Sequence, residues 1–211
     1  MPPSRLKPGR LKPGFVKSRC LKPAVFTCAL ALVSSAALAG WTEAVNGDLS
    51  NENESPTPVS LALGNNLITG QMGVDPLAGV LDADIFTFTV PADATLTAID
   101  LTVYVPSLVL GNGAFLAISS GTTIDSGEPN AHLSNLLVDA VGPLLPLLAT
   151  PTFGGTGIPG PLGPGTYTLW FQETITTVDY QFNLVLTPIP EPATAIPAAV
   201  ALTALAARRR R

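Results

Sequence analysis

The sequence predicts an all-β fold, an antiparallel β-sandwich, for the central part of this chain. Apolar and polar residues alternate in several short segments, as expected of strands with one buried face. These segments are rich in Thr and Val, whose β-branched side chains suit a pleated sheet. Gly, Pro, Asn and Asp separate the segments, and none of them has a convincing helical period. Many short strands with frequent turns are typical of a sandwich.

Six segments carry the alternation. Turns are predicted at residues 64–66, 111–113 and 164–165, where Gly, Asn and Pro favour a tight reversal of the chain. The apolar positions of the predicted strands, in chain order, are Val59, Leu61 and Leu63; Phe86, Phe88 and Val90; Ile99, Leu101, Val103 and Val105; Leu116 and Ile118; Tyr167, Leu169 and Phe171; Tyr180, Phe182, Leu184 and Leu186.

Residues 129–165 do not alternate. They contain an apolar block at 144–148 and then a run dense in Gly and Pro. Within this stretch, a short helix is predicted at residues 133–141. We interpret the stretch as a long crossover connection packed on the sandwich. The alternative is a partner-binding loop, since loops of this length are often functional.

The basic residues all lie near the two chain ends. All 11 precede residue 23 or follow residue 207, whereas the 15 acidic residues lie between Glu43 and Glu191. Positive charge beside an apolar segment holds that flank on the cytoplasmic side of a membrane. The sequence therefore predicts two targeting segments around an acidic domain. Nucleic acid is not an expected partner, because an uncompensated acidic surface repels a polyanion.

Residues 1–39 have the three parts of a secretory signal peptide. Basic residues precede an apolar run of about 22 Å, too short to span a ~30 Å bilayer core comfortably. Ala37 and Ala39 then form a small-x-small cleavage site with Gly40 as the new N-terminus. The alternative is an uncleaved N-terminal anchor. Both cysteines precede the cleavage site, so the mature domain has no thiol and must rely on its hydrophobic core.

Residues 188–211 contain Pro190, Glu191 and Pro192, an apolar segment at 193–207, and a terminal cluster of Arg208, Arg209, Arg210 and Arg211. This order resembles a PEP-CTERM protein-sorting signal. The resemblance implies a short C-terminal transmembrane helix that holds the exported protein transiently in the inner membrane. It also implies processing by an exosortase, a membrane-embedded protease of bacteria that make extracellular polysaccharide. The alternative is a plain tail anchor on a Pro-rich stalk.

The central domain, residues 40–187, also resembles a known family. The segments that carry the likeness are residues 51–55, 68–70, 82–90, 165–169 and 180–184. They look like the bacterial pre-peptidase C-terminal domain, and the likeness spans about residues 48–187. The resemblance implies a jelly-roll-like antiparallel β-sandwich that is a non-catalytic appendage of secreted proteases or a free-standing unit.

The sequence predicts no catalytic residues. The one histidine, His132, lies in a polar turn-like stretch and is expected on the surface. No Lys or Arg between residues 23 and 207 is present to stabilise an oxyanion or phosphate. Asp82 and Asp84 share a strand face roughly 6–7 Å apart, a spacing that suits glycoside hydrolysis. Such pairs are nevertheless common on solvated strands, and we predict that the protein is not an enzyme.

Calcium is the cofactor that the acidic residues favour, because Ca²⁺ binds carboxylate, amide and backbone oxygens. Glu52, Asn53, Glu54 and Asp84 match positions where calcium-binding members of the resembling family bring ligands together. No EF-hand loop is present in the sequence. The alternative is a solvated acidic surface without a bound ion.

The function predicted is that of an exported structural or interaction protein of the bacterial cell envelope or extracellular matrix. Its expected partners are signal peptidase and an exosortase-like membrane protease. The alternative is a carbohydrate-binding module for extracellular polysaccharide. Trp170 would then be a stacking platform, since alternation places it on the face opposite Tyr167, Leu169 and Phe171.

Overall fold

The computed structural model describes residues 39–74, 79–108 and 113–190. Residues 1–38 of the predicted signal peptide, with Ala37, and the sorting-signal residues Glu191, Pro192 and 208–211 lie outside these ranges. Within the described ranges, no helix has the length and apolarity needed to cross a bilayer.

The described residues form an all-β fold, as the sequence predicts. A one-turn helix, α1 (Glu43–Asn46), and 3₁₀ turns at Pro129–Ala131 and Leu147–Ala149 are the helical elements of the described chain. The strands are β1 (Gly40–Thr42), β2 (Thr57–Pro58), β3 (Gly64–Val74), β4 (Leu81–Val90), β5 (Ala94–Pro106), β6 (Ala114–Ser120), β7 (Ser134–Val138), β8 (Gly142–Pro143), β9 (Gly165–Gln172) and β10 (Thr177–Pro188).

The strands form two layers. The first sheet has the order β1-β3-β10-β5-β8, and the second has the order β2-β4-β9-β6-β7. Neighbouring strands are antiparallel except for the short pairs β1–β3 and β2–β4, which are parallel. The layers join where the end of β3 pairs with the start of β4, at Gly73 with Asp82 and Val74 with Leu81.

The main core lies between the two sheets. Phe171 on β9 of the second sheet lies 4.9 Å from Phe182 and 5.1 Å from Tyr180, measured between ring centroids, and both of those residues are on β10 of the first sheet. In β10 every second residue from Val178 to Leu186 is buried, so the predicted alternation is confirmed there. The sandwich prediction is therefore confirmed for the described chain.

The predicted helix at residues 133–141 is wrong, because Ser134–Val138 is strand β7 at the edge of the second sheet. Both faces of β7 are covered, so four of its five residues are buried and no alternation shows in the sequence. Ser134 Oγ donates to the Leu148 carbonyl at 2.7 Å, and Asn135 Nδ2 donates to the Gly154 carbonyl at 2.9 Å. Because these buried residues are polar, the sequence of β7 lacks the apolar–polar alternation by which a strand is recognised.

The predicted strand at Val59–Leu63 and the predicted turn at 64–66 are also wrong. Only Thr57–Pro58 forms a strand there, and β3 begins at Gly64. Asn66 is fully buried, and its side chain bonds to the backbone of Ala62, Gly64 and Leu184. Because the Asn66 side chain hydrogen-bonds the backbone groups of this bend, strand β3 begins directly after the bend, without a separate turn.

The apolar block in residues 129–165 packs on the sandwich, as interpreted for a crossover connection. Leu144, Leu145 and Leu148 all belong to the main core.

Candidate metal centre between the N-terminal segment and strand β4

Three carboxylates from two distant parts of the chain meet beside the core. Glu43 opens α1, Asp48 follows that helix, and Asp84 lies on β4. One oxygen of each carboxylate lies within 4.8 Å of an oxygen of the other two. Glu43 is half-buried, Asp48 is exposed and Asp84 is buried, so the cluster runs from the surface into the protein.

Strand β1 positions Glu43. It pairs in parallel with β3, with Thr42 opposite Thr69, which brings the next residue beside residues 70 and 71. Glu43 Oε2 accepts a hydrogen bond from the Gln71 backbone N–H at 2.8 Å, and Oε1 accepts one from the Leu49 N–H at 3.4 Å. The carboxylate is therefore fixed by two backbone donors.

Gly70 makes space for this carboxylate. Residues two apart on a strand share a face, so Gly70 lies on the same face of β3 as the buried residues Ile68 and Met72. A Cβ atom at position 70 would lie only 2.5 Å from Glu43 Oε1. An acidic side chain thus occupies a position on the inner face that an apolar side chain would otherwise fill.

Asp84 is buried without a hydrogen-bond partner. It shares the inward face of β4 with Phe86 and Phe88, and its exposed fraction is 0%. By hydrogen-bond geometry, neither carboxylate oxygen has a partner among the described residues, and neither does the equally buried hydroxyl of Tyr180, although that hydroxyl lies close enough to lower the pKa of Asp84. Burial of an unpaired carboxylate is costly, because the protein does not replace the lost hydration.

The surroundings oppose negative charge on the cluster. Burial, followed by the charge of Glu43, raises the pKa of Asp84 to about 9. Burial is also the main cause that raises the pKa of Glu43 and the pKa of Asp82, and in both cases the charge of Asp48 adds to it. No Lys or Arg occurs among the described residues, so within that part of the chain the counter-charges available to the cluster are protons and bound cations.

A polar pocket adjoins the cluster and shares Asp48 with it. The pocket has a volume of about 270 Å³, and Asn51, Gln71 and Asp82 also line it. Asn51 Oδ1 accepts a hydrogen bond from the Ala83 N–H and thereby holds the segment after Asp48 against β4. Water and small ions therefore have access to the side of the cluster that Asp48 exposes.

Of the calcium ligands predicted from the sequence, the structure places only Asp84 in this cluster. Glu52 and Glu54 are exposed in the turn that follows Asn51. Asn53 instead contacts the connection after β6, where its side-chain amide donates to Ser126 Oγ and its carbonyl accepts from the Ile124 N–H. Glu43 and Asp48 lie beside Asp84 instead. They were not predicted as ligands from the sequence, because they lie at or before the start of the region that resembles the pre-peptidase C-terminal domain.

Trp170 lies on the outer face of the second sheet, in a small second apolar cluster. Ile85, Ala117 and Ile124 form that cluster, and Phe115 and Trp170 pack against it. The ring of Phe115 meets the Trp170 ring edge to face, with centroids 5.0 Å apart. Trp170 is only partly exposed, so much of its surface is engaged within the protein.

His132 covers this second cluster, and the prediction of a surface histidine is wrong. Its exposed fraction is 2%, and its ring lies edge-on to Trp170 with centroids 6.4 Å apart. His132 Nε2 is hydrogen-bonded to the Asp125 carbonyl at 2.6 Å. The cause is the connection after β6, which folds back over the sheet and carries the histidine beneath it.

The proposed processing positions flank the folded part. Gly40 opens β1, and Pro190 follows the last residue of β10, Pro188. Models of known protein families give no match to this chain, and no curated protein matches it. The resemblances to a sorting signal and to a pre-peptidase C-terminal domain therefore remain predictions.

Proposed function

We propose that this chain is an exported, non-catalytic structural or interaction protein of the bacterial cell envelope or extracellular polymer matrix. The observation that carries the proposal is the division of charge: all 11 basic residues lie in the two terminal segments, and an acidic β-sandwich lies between them. Basic residues beside short apolar runs are what export and membrane sorting require. The sandwich itself is proposed to be a jelly-roll-like module of the pre-peptidase C-terminal type.

Signal peptidase is proposed to cut after Ala39, and an exosortase-like protease is proposed to process the tail at Pro190–Pro192. The strand pairing supports this proposal. Gly40 is paired with Leu67, and Leu186 is paired with Gly64, so β1 begins and β10 ends near the same end of β3. Ala39 thus comes directly before the first paired residue, and Pro190 comes two residues after the last strand residue, Pro188, so both ends of the described chain leave the sheet near the start of β3.

The geometry of the polar residues supports a non-catalytic role. His132 is buried with one ring nitrogen bonded to a backbone carbonyl, so that nitrogen is not free to act as a general base. Asp84 lies on the inward face of β4 beside Phe86, where a sugar ring has no room to approach. These two positions therefore favour a structural or binding role for the domain over a catalytic one.

A carbohydrate-binding module stays the alternative, with Trp170 as its stacking residue. Its edge-to-face packing with Phe115 does not favour this role, because a stacking platform presents a free ring face. A pull-down of the exported protein with extracellular polysaccharide separates the two functions. Specific binding that Trp170→Ala abolishes would replace the structural proposal with the module.

Replacement of Pro190, Glu191 and Pro192 by alanine tests the sorting proposal. In a host that has an exosortase, this variant should be exported but should accumulate in the membrane at full length. A matched control, Glu54→Ala with Pro56→Ala, makes similar changes at an exposed and a partly exposed position far from the tail in sequence and should be processed normally. Release of the unaltered protein from cells without an exosortase would contradict the proposal.

A further inference from the structure

We propose that Glu43, Asp48 and Asp84 bind one hard divalent cation, best suited to Ca²⁺, and that the ion fastens residues 40–48 to the sandwich. This inference does not depend on the proposed export and sorting function. It also differs from the ligand set predicted from the sequence, with which it shares only Asp84.

The spacing of the three carboxylates suits a shared ion. Calcium binds oxygen ligands at ~2.3–2.6 Å, so two oxygens on one ion lie at most about 5 Å apart. One oxygen each of Glu43, Asp48 and Asp84 already lies within 4.8 Å of the others. A bound ion therefore requires only small side-chain movements.

A second observation points to a ligand at this place. Asp84 and Tyr180 are buried and adjacent, but neither the carboxylate oxygens nor the hydroxyl makes a well-aligned hydrogen bond with a described residue. Buried polar groups in folded proteins are normally hydrogen-bonded or coordinated, so these groups require an explanation. A cation beside Asp84 gives its carboxylate the partner that the protein does not supply.

The ligand chemistry selects the class of ion. Carboxylate oxygens suit hard cations such as Ca²⁺, Mg²⁺ and Mn²⁺, whereas the soft ligand Cys does not occur after residue 28. Mg²⁺ requires near-ideal octahedral geometry and keeps several waters, while Ca²⁺ accepts irregular sets of six to eight oxygens. A cluster built from a fixed Glu43, a buried Asp84 and an exposed Asp48 is irregular, and the adjoining pocket of about 270 Å³ leaves room for water ligands.

The ion would join two parts of the chain. Glu43 and Asp48 belong to the N-terminal segment, and Asp84 belongs to β4 of the second sheet. The segment is otherwise attached by the three residues of β1, by the packing of Trp41 on the core, and by the hydrogen bond that the Gln71 N–H donates to the Glu43 carboxylate. Because the bound ion occurs only when both parts are in place, it stabilises the docked segment by mass action.

The test uses the purified full-length protein after treatment with EDTA. Titration calorimetry with CaCl₂ should show one bound ion per chain. Asp84→Asn and Glu43→Gln should each weaken binding at least tenfold, since each removes one charged ligand. The matched control, Glu52→Gln with Glu54→Gln, removes two exposed charges at the positions predicted from the sequence and should leave affinity within twofold.

Asp48→Asn keeps the proposal testable if either of the other variants fails to fold, because Asp48 is exposed and outside the core. Limited proteolysis adds a structural readout, in which Ca²⁺ should slow cleavage within residues 40–48 of the unaltered protein but not of Asp48→Asn. Absence of calcium binding, an equal loss in the Glu52/Glu54 control, or tighter binding of Mg²⁺ than of Ca²⁺ would each overturn the assignment.

Discussion

Asp84 occupies a position where the pattern of its strand calls for an apolar side chain. Its neighbours on the same face of β4 are Phe86 and Phe88, and all three are buried. An ionised carboxylate loses much of its hydration there and lies near Glu43, which also carries negative charge. The carboxyl group is therefore protonated, or paired with a cation, at neutral pH.

Without a divalent ion, the protein should lose stability as the pH rises. The folded state holds a proton on Asp84 between its ordinary pKa of 3.8 and about 9, where the unfolded state does not. Linkage then makes the free energy of unfolding fall by up to about 1.4 kcal/mol per pH unit across that range. Among the groups that face Asp84, the carboxylates of Glu43, Asp82 and Asp48 also raise its pKa by repulsion, whereas the nearby Tyr180 hydroxyl lowers it and so opposes part of the shift.

Urea denaturation in EDTA at a series of pH values measures this slope. Asp84→Asn is the control, because it keeps the shape of the protonated acid but cannot ionise, and its slope should be much shallower. A wild-type protein whose stability rises between pH 5 and pH 8 would contradict the assignment of a buried acid.

Asn66 is a second buried polar residue with a structural consequence. Its side chain bonds to Ala62, Gly64 and Leu184, and its removal would leave several of these backbone groups unpaired. We expect Asn66→Ala to lower the free energy of unfolding by about 2–4 kcal/mol. The neighbouring Asn65 is exposed, and Asn65→Ala should cost less than about 0.5 kcal/mol in the same urea titration. Equal losses in the two variants would contradict this account of the bend.

Among the elements, β3 and the N-terminal segment depend on each other through Gly70. Gly70→Ala should push the Glu43 carboxylate away, since the end of that side chain moves more easily than the backbone. The fold should persist, at a cost of about 1 kcal/mol for the weakened hydrogen bonds to Gln71 and Leu49. Calcium affinity, measured by calorimetry, should fall more than stability does.

Gly163→Ala is the control for this substitution, because no heavy atom lies within 4 Å of a Cβ atom there. It should change neither stability nor calcium affinity. An undiminished calcium affinity in Gly70→Ala would show that the position of Glu43 does not matter to the ion.

Alternation along the sequence predicted β10 but missed β7 and the start of β3. Alternation identified β10 because its odd-numbered residues face outward, as Gln181 and Asn183 do. It failed for β7, where Ser134 and Asn135 are buried beneath the connection that follows the strand. It also failed at the start of β3, where a buried Asn66 looks like a turn residue. The apolar–polar alternation of a strand depends on which of its faces are buried, so it is absent where polar side chains are buried.

The candidate metal centre was only partly predictable, for a different reason. Asp84 stands out in the sequence because an acid precedes two phenylalanines at the same strand spacing. The approach of Glu43 and Asp48 depends on the parallel pairing of β1 with β3, which no local pattern encodes. One signal was present: glycine at position 70 interrupts the apolar series formed by Ile68 and Met72. That gap marks the space that a side chain from elsewhere fills.

At the scale of the whole molecule, repulsion between carboxylates should weaken the fold at low salt. All 15 acidic residues except Glu191 lie between residues 40 and 190, where there is no Lys or Arg. Raising NaCl from about 20 mM to about 0.5 M should therefore stabilise the EDTA-treated protein by about 1 kcal/mol, or about 3 °C in Tm. Calorimetric melting curves measure the shift, and CaCl₂ at matched ionic strength should give a larger one. Identical shifts in Tm from the two salts would mean that the carboxylates form only a solvated, mutually repelling surface and bind no specific ion.

The position of β10 sets how the domain carries mechanical load. β10 lies inside the first sheet, paired along nearly its whole length with β3 on one side and with β5 on the other. If the tail that follows Pro188 tethers the protein to a membrane, tension enters the fold through this strand. The hydrogen bonds of an antiparallel ladder run across the strands, so a pull along β10 loads them together in shear rather than opening them one at a time. A domain joined to an anchor in this way would resist stretching until many hydrogen bonds break at once.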